Sequence, residues 1–239
     1  GQSPRFDRSL SWLPHFLVFT QNLATSTSAH TAPVRELEHL WSLAVEEQFY
    51  LFWPWLVWRL RTEDLPRVCV RVVLIAWACK IVLATLDAYW HAIYILPFTR
   101  MDGFAIGAYL AAHQLLGRSA FPAWVRPLPW LGLGLLVTQY LVVGTLHNTS
   151  GVQTALATSG TVLMFGGLLH RALTAPERGW LTRGLSNRVL IFFGAYSYGL
   201  YLIHNGVDTA ARLYFQPLVE PYLLGNRLPA VYPAKTIRI

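Results

Sequence analysis

Long unbroken apolar runs, rather than alternating ones, organise this chain. They cover residues 40–58, 68–86, 99–116, 128–147, 151–170 and 189–207, each bounded by Arg, Pro or Gly. At about 1.5 Å per residue, a helix of such length crosses close to the roughly 30 Å of a bilayer's hydrocarbon. Strands of a membrane barrel would alternate apolar and polar positions, and these runs do not. The pattern predicts an all-α, polytopic transmembrane helical bundle with about six spans. Its cleanest part runs from Pro127 to His170, which holds no Asp, Glu, Lys or Arg. The polar break there, His147-Asn148-Thr149-Ser150-Gly151, reads as a turn between two helices. No internal repeat is visible, and residues 1–239 read as a single, partial transmembrane domain.

Composition agrees with the bilayer. The chain is 54% hydrophobic and 13% charged, against about 25% charged residues in a soluble domain. Disorder and coiled coils need more charge still. The net charge of +7 is spread between the apolar runs rather than gathered on one basic face, which argues against nucleic acid as a partner. Basic residues collect in cytoplasmic loops of membrane proteins. Arg59, Arg61, Arg67 and Arg71 follow the first run, Arg118 and Arg126 the third, and Arg171, Arg178, Arg183 and Arg188 the fifth. The chain thus predicts a multi-pass protein of the bacterial inner membrane, with loops 59–71, 118–126 and 171–188 cytoplasmic. Residues 1–38, the loop near His91, the 147–151 turn and the segment after Asp208 lie outside. The Ser/Thr-rich stretch 20–31 is expected to be an external loop. Cys69 and Cys79, ten residues apart in one apolar run, are too distant for a disulfide, and Gly1–Arg8 does not read as a cleavable signal.

Ionisable groups inside apolar runs cost energy unless paired, interfacial or functional. At helical spacing, His39, Ser42, Glu46, Tyr50 and Trp53 form one stripe, with Glu47 about 100° away. The stripe suits either a functional face or an interfacial helix start. Arg100 and Asp102, two residues apart, point to different helix faces, so each is expected to pair with another helix. Arg100 could equally snorkel to headgroups, and Gly103 and Gly107 would let a neighbour approach closely. Ser197, Tyr201, His204 and Asp208 share a third stripe. Under the alternating topology, Glu46, Arg100, Asp102 and His204 fall toward the external ends of their helices. Lys80, alone in mid-run, has no partner evident from sequence.

The stretch His39-Leu-Trp-Ser-Leu-Ala-Val-Glu-Glu-Gln-Phe-Tyr-Leu-Phe-Trp-Pro54 resembles the H-x-W-S-L-x-x-E-x-x-F-Y-x-x-x-P signature of the membrane-bound acyltransferase-3 family. Phe98-Thr-Arg-Met-Asp-Gly-Phe-Ala-Ile-Gly107 and Gly194-Ala-Tyr-Ser-Tyr-Gly-Leu-Tyr-Leu-Ile-His204 are similar to its R-x-D-x-x-x-x-G and G-x-x-S-Y-x-L-Y-L-x-H elements, in the same order. Phe16-Leu-Val-Phe-Thr-Gln-Asn22 resembles the segment preceding the first signature. The resemblance implies an O-acyltransferase that moves an acyl group, most often acetyl, from acyl-CoA to a hydroxyl of a carbohydrate or cell-surface glycan. Acyl-CoA would be a co-substrate, and no bound cofactor or metal is implied. Of a family core of about ten helices, about six would be present. The family's principal His, in an Arg-x10-His element of its first helix, has no counterpart here, so this chain is expected to be incomplete and inactive alone.

The resemblance implies supporting catalytic roles for Glu46, His39, Arg100 and Asp102, and substrate contacts for Ser42, Glu47, Tyr50, Ser197, Tyr201 and His204. Glu46 would orient a His or the acceptor hydroxyl, and Arg100 would pair with a carboxylate or donor phosphate. The proline-containing tail, 215–239, departs from the family pattern. Two other functions compete: a proton-coupled transporter, which a polar chamber would also suit, and a non-catalytic remnant.

Overall fold

A computed structural model describes residues 4–26, 35–117, 121–144 and 150–215, and every regular element among them is helical. The chain forms two compact units, Gly1–Asn187 and Arg188–Ile239. The first holds α1 (Pro4–Leu17), α2 (Gln21–Ser26), α3 (Trp41–Arg59), α4 (Leu65–Thr85), α5 (Trp90–Ile95), α6 (Pro97–Leu115), α7 (Leu128–Val143), α8 (Gly151–Thr174) and α9 (Trp180–Leu185). The second holds α10 (Arg188–Ala210), followed by a π-helical turn, Ala211–Phe215. Each of the six apolar runs carries one of the long helices. Among the described residues, two helical stretches, Thr62–Thr85 and Gly151–Thr174, are long and apolar enough to cross a membrane by length and composition.

The punctuation is local chemistry. Pro66, Pro97 and Pro129 sit in the first turns of α4, α6 and α7, where a missing N–H costs no hydrogen bond and φ is already helical. Gly144 ends α7 in the left-handed region, φ 74°, its N–H donating to the Tyr140 carbonyl at 2.8 Å. That conformation favours glycine. Ser150 caps α8, accepting from the Gln153 N–H at 3.3 Å. The short helices α1, α2, α5 and α9 lie outside the apolar runs and were not expected from periodicity. Within the Ser/Thr-rich stretch 20–31, residues 21–26 form α2 rather than loop, with Thr25 and Ser26 hydroxyls donating to backbone carbonyls one turn back. Residues 27–31, Arg118, most of the 147–151 turn and the tail from 216 lie outside the described residues.

In the first unit α4 packs along α6, α8 lies against α4, α5 and α6, and α7 pairs with α8. Cys69, Tyr109, Leu110 and Val125 form the buried apolar cluster. The close helix approach is not at Gly103 and Gly107. A methyl group at Gly103 would meet Val162 at an ordinary 3.5 Å, and one at Gly107 would meet nothing within 4 Å. The tight seam joins α7 to α8. A Cβ on Gly132 would lie 2.3 Å from the Met164 nitrogen and 2.4 Å from the Gly160 carbonyl oxygen, and one on Gly167 would lie 2.2 Å from Pro129. Between α6 and α8 the glycine at the contact is Gly166 of α8, where a Cβ would lie 2.5 Å from the Ile106 side chain of α6.

Candidate active site

The site is assembled from the start of α3 and the start of α6. His39 lies in the 3-10 turn Arg35–Leu40, and the α-helix begins only at Trp41. A 3-10 turn advances about 120° per residue instead of 100°, so residues three apart eclipse and the spacing His39–Ser42 is compatible with the expected stripe. Ser42, Glu46 and Glu47 are half-buried, whereas Tyr50 is 56% exposed. Rotation of α3 is set by Phe49, which stacks on Phe104 of α6 with ring centres 4.5 Å apart and planes at 13°. Trp53 stacks on the other side of Phe49 at 5.0 Å. Offset aromatic stacking of this kind is worth about 1 kcal/mol beyond burial.

Arg100 and Asp102 point to different faces of α6. The Arg100 guanidinium lies 5.7 Å from the Trp41 ring and 5.5 Å from the Tyr94 ring, and these two rings pack 4.9 Å apart. It is held by the negative faces of two aromatic rings. Among the described residues no carboxylate lies within ion-pair distance of it. Its N–H donors thus remain available to an anionic or carbonyl oxygen. Phe104, one turn further along, shares this face.

Asp102, fully buried, turns to α4 and α8. Its Oδ2 accepts from Lys80 Nζ at 2.6 Å and from Trp77 Nε1 at 3.1 Å, and its Oδ1 accepts from the Gly103 N–H at 3.0 Å. Lys80, 1% exposed, also donates to Ser159 Oγ at 3.2 Å. A buried carboxylate with three donors is fully engaged. Asp102 is thereby a clamp between three helices.

A second network ties α2 to α3 and α5. Asn22, fully buried, donates to Gln48 Oε1 at 3.2 Å and to the Ile95 carbonyl at 3.3 Å, while Gln48 Nε2 donates to Asn22 Oδ1 at 3.0 Å and to the Phe19 carbonyl at 2.7 Å. Phe19 has φ 54°, a left-handed conformation that costs a non-glycine residue about 1–2 kcal/mol. Its carbonyl is thereby aimed at Gln48. Gln21 Nε2 donates to the Leu40 carbonyl at 3.0 Å, fixing the turn that leads into α3. Gln21, Thr25, Glu38, Trp41 and His91 border a small niche beside the Arg100 shelf. Burial holds the His91 pKa below the ordinary imidazole value, opposed by its hydrogen bond with the Thr25 backbone and by the Glu38 carboxylate. His91 is therefore neutral at pH 7.

In the second unit, Ser197 Oγ donates to the Gly194 carbonyl at 2.8 Å, His204 Nδ1 lies 2.5 Å from the Tyr201 carbonyl, and Asp208 pairs with Arg212 at 2.9 Å. Ser197, Tyr201, His204 and Asp208 recur on α10 at the expected three- and four-residue spacing. The structure brings Glu46, Arg100 and Asp102 into one unit, and places Ser197, Tyr201 and His204 in the other.

Sequence reasoning missed the partners: Lys80 and Trp77 for Asp102, Ser159 for Lys80, Trp41 and Tyr94 for Arg100, and the Asn22–Gln48 pair. A lone Lys in an apolar run was the available signal, since such a charge requires a counterion. Asn22 and Gln48 each stood inside the quoted motifs without a role.

The arrangement is that of a helical protein with charge buried between apolar helices, and its three motif regions lie in the order seen in sequence. The chain belongs to the acyltransferase domain family (Acyl_transf_3), whose match covers residues 10–234. It is 27% identical over 191 residues to the O-acetyltransferase OatA of Staphylococcus aureus (strain NCTC 8325 / PS 47), a match covering 76% of this chain and 31% of that protein. It is 30% identical over 188 residues to the peptidoglycan O-acetyltransferase OatA of Listeria monocytogenes serovar 1/2a, covering 72% of this chain and 29% of the relative. The chain thus matches under one third of the length of these relatives. No solved structure matches it.

Proposed function

We propose that this chain is part of a membrane O-acyltransferase that moves an acetyl group from acetyl-CoA to a hydroxyl of a cell-surface glycan, peptidoglycan being the first acceptor to test. One observation supports this above the others: Trp41, in the first signature, packs on Arg100, in the second, so two distant family motifs build one shelf. Such transfer needs a base to take the proton of a hydroxyl whose pKa lies far above 7, and donors to meet charge on the carbonyl oxygen. The hydroxyl oxygen bonds to the thioester carbonyl carbon, the C–S bond breaks, and CoA leaves as the thiol. Glu46 would orient the acceptor hydroxyl or the proton-accepting group. Arg100, held by aromatic faces, would supply N–H donors to the carbonyl oxygen or to an anionic part of the donor. The six-span, basic-loops-inside topology belongs to this proposal, and places the Arg100 shelf toward the outer surface.

The test uses membranes from cells expressing the chain within its uninterrupted genomic reading frame, supplied with acetyl-labelled acetyl-CoA and peptidoglycan. Base-labile label should appear on the glycan, and Glu46→Gln and Arg100→Met should each lower the rate at least about 100-fold, the scale of a lost general base or oxyanion donor. Full transfer by Glu46→Gln removes that residue from the reaction. Acetyl-CoA-independent uptake of solute into vesicles, with no labelled glycan, would favour a carrier.

A further inference from the structure

We infer that Lys80 is a positioning residue: paired with Asp102, it fixes the rotation of α6 at which Arg100 rests on Trp41 and Tyr94. The role assigned to Arg100 rests on the function proposed above; the geometry does not. Two residues along an α-helix are separated by about 200°, so Arg100 and Asp102 occupy nearly opposite faces of α6. Whatever anchors Asp102 therefore decides where Arg100 points. The anchor is directional. Lys80 Nζ reaches Asp102 at 2.6 Å and Ser159 at 3.2 Å, Trp77 Nε1 reaches Asp102 at 3.1 Å, and both charged side chains are at most 1% exposed. These partners come from α4 and α8, on the side of α6 away from Trp41.

The other contact that could hold α6 is the Phe49–Phe104 stack. Stacked rings tolerate offsets and sliding, whereas a lysine in a dry interior has one acceptable place for its charge. A slip of α6 by one residue would turn Arg100 by about 100° and move it about 1.5 Å along the axis, off both rings. Buried ion pairs often add little net stability relative to apolar replacements, and their best-attested use is to fix register. Lys80 has that use here.

The experiment reads placement without activity. In a Cys69→Ala, Cys79→Ala background, Arg100→Cys reports its surroundings through its rate of reaction with a small water-soluble thiosulfonate on intact membranes. Adding Lys80→Met with Asp102→Leu, which removes both charges together, should change that rate at least fivefold while the protein still accumulates. Asp102→Asn keeps an oxygen acceptor but leaves the Lys80 charge without its counterion, so labelling should move in the same direction as in the double replacement. Equal labelling in the paired and apolar backgrounds overturns the proposal, as does labelling of Asp102→Asn within twofold of the paired background. With Arg100 restored, the Lys80→Met, Asp102→Leu protein should lose at least tenfold in kcat with KM for acetyl-CoA little changed. A shift in labelling without any transferase activity in the unsubstituted protein would leave the positioning role standing and remove the proposed reaction.

Discussion

The seam between α7 and α8 and the layer around α6 solve the same problem by opposite means. Along the seam there is no ion pair among the described residues; Arg171 of α8 rests on the Trp130 ring of α7 at one end, and the rest of the contact is backbone laid close at Gly132, Gly160 and Gly167. Around α6, charge and amide groups are buried and nearly every one has a named partner. Small residues give contact area in an apolar medium, where helices gain nothing from leaving lipid except packing and hydrogen bonds. They do not decide which way a functional side chain points. Paired polar groups contribute less area but have few satisfactory arrangements, and Asp102, one of the charged candidates for chemistry in the first unit, stands among them.

The largest break in this contrast comes at the seam. Gly132→Val places a side chain on the Met164 nitrogen and the Gly160 carbonyl, so α7 and α8 must separate. The expected loss exceeds about 3 kcal/mol, read as failure to accumulate and as protease sensitivity of residues 128–174 in isolated membranes. Gly107→Ala, with open space around it, should be silent or slightly stabilising; equal damage from both would remove the distinction between the regions. A smaller effect is expected in the polar layer. Asn22→Leu leaves Gln48 and the Ile95 carbonyl short of a partner, at about 1–3 kcal/mol, and should lower Tm in detergent while residues 128–174 keep their protease resistance.

The smallest effect is a pH dependence. Burial lowers the His91 pKa in the folded chain below its unfolded value near 6.5. Above that value the imidazole is neutral in both states and its contribution is fully present. As pH falls through and below it, the unfolded chain takes up the proton first, and stability is lost. Between pH 7 and pH 5 the Tm should therefore fall by a few degrees more in the parent than in His91→Phe. Parallel declines would show that His91 does not carry the effect.

The helices themselves were legible because continuous apolar runs of this length favour helix over alternating strand, and the observed α3, α4, α6, α8 and α10 follow the expected 40–58, 68–86, 99–116, 151–170 and 189–207 closely. The opposed faces of Arg100 and Asp102 followed from two residues at 100° each. What periodicity could not supply was the identity of partners, which depends on how helices rotate against one another. Lys80 finds Asp102 across 22 residues of sequence, and Asn22 finds Gln48 across 26. Nor could the pattern show that His39 sits in a 3-10 turn. The spacing His39–Ser42 fits both geometries, and the Gln21 bond to Leu40, a long-range contact, belongs to that turn.

The glycine seam also bears on how such a chain would enter a bilayer during synthesis. In the six-span topology proposed above, α7 with its 16 residues, about 24 Å of helix at 1.5 Å per residue, would be shorter than the roughly 30 Å of hydrocarbon. Alone it would thin the membrane around itself or slip back out. With its backbone seated on the 24-residue α8, the two would leave the translocation channel as one hairpin, and α7 would wait at the interface until its partner had been made.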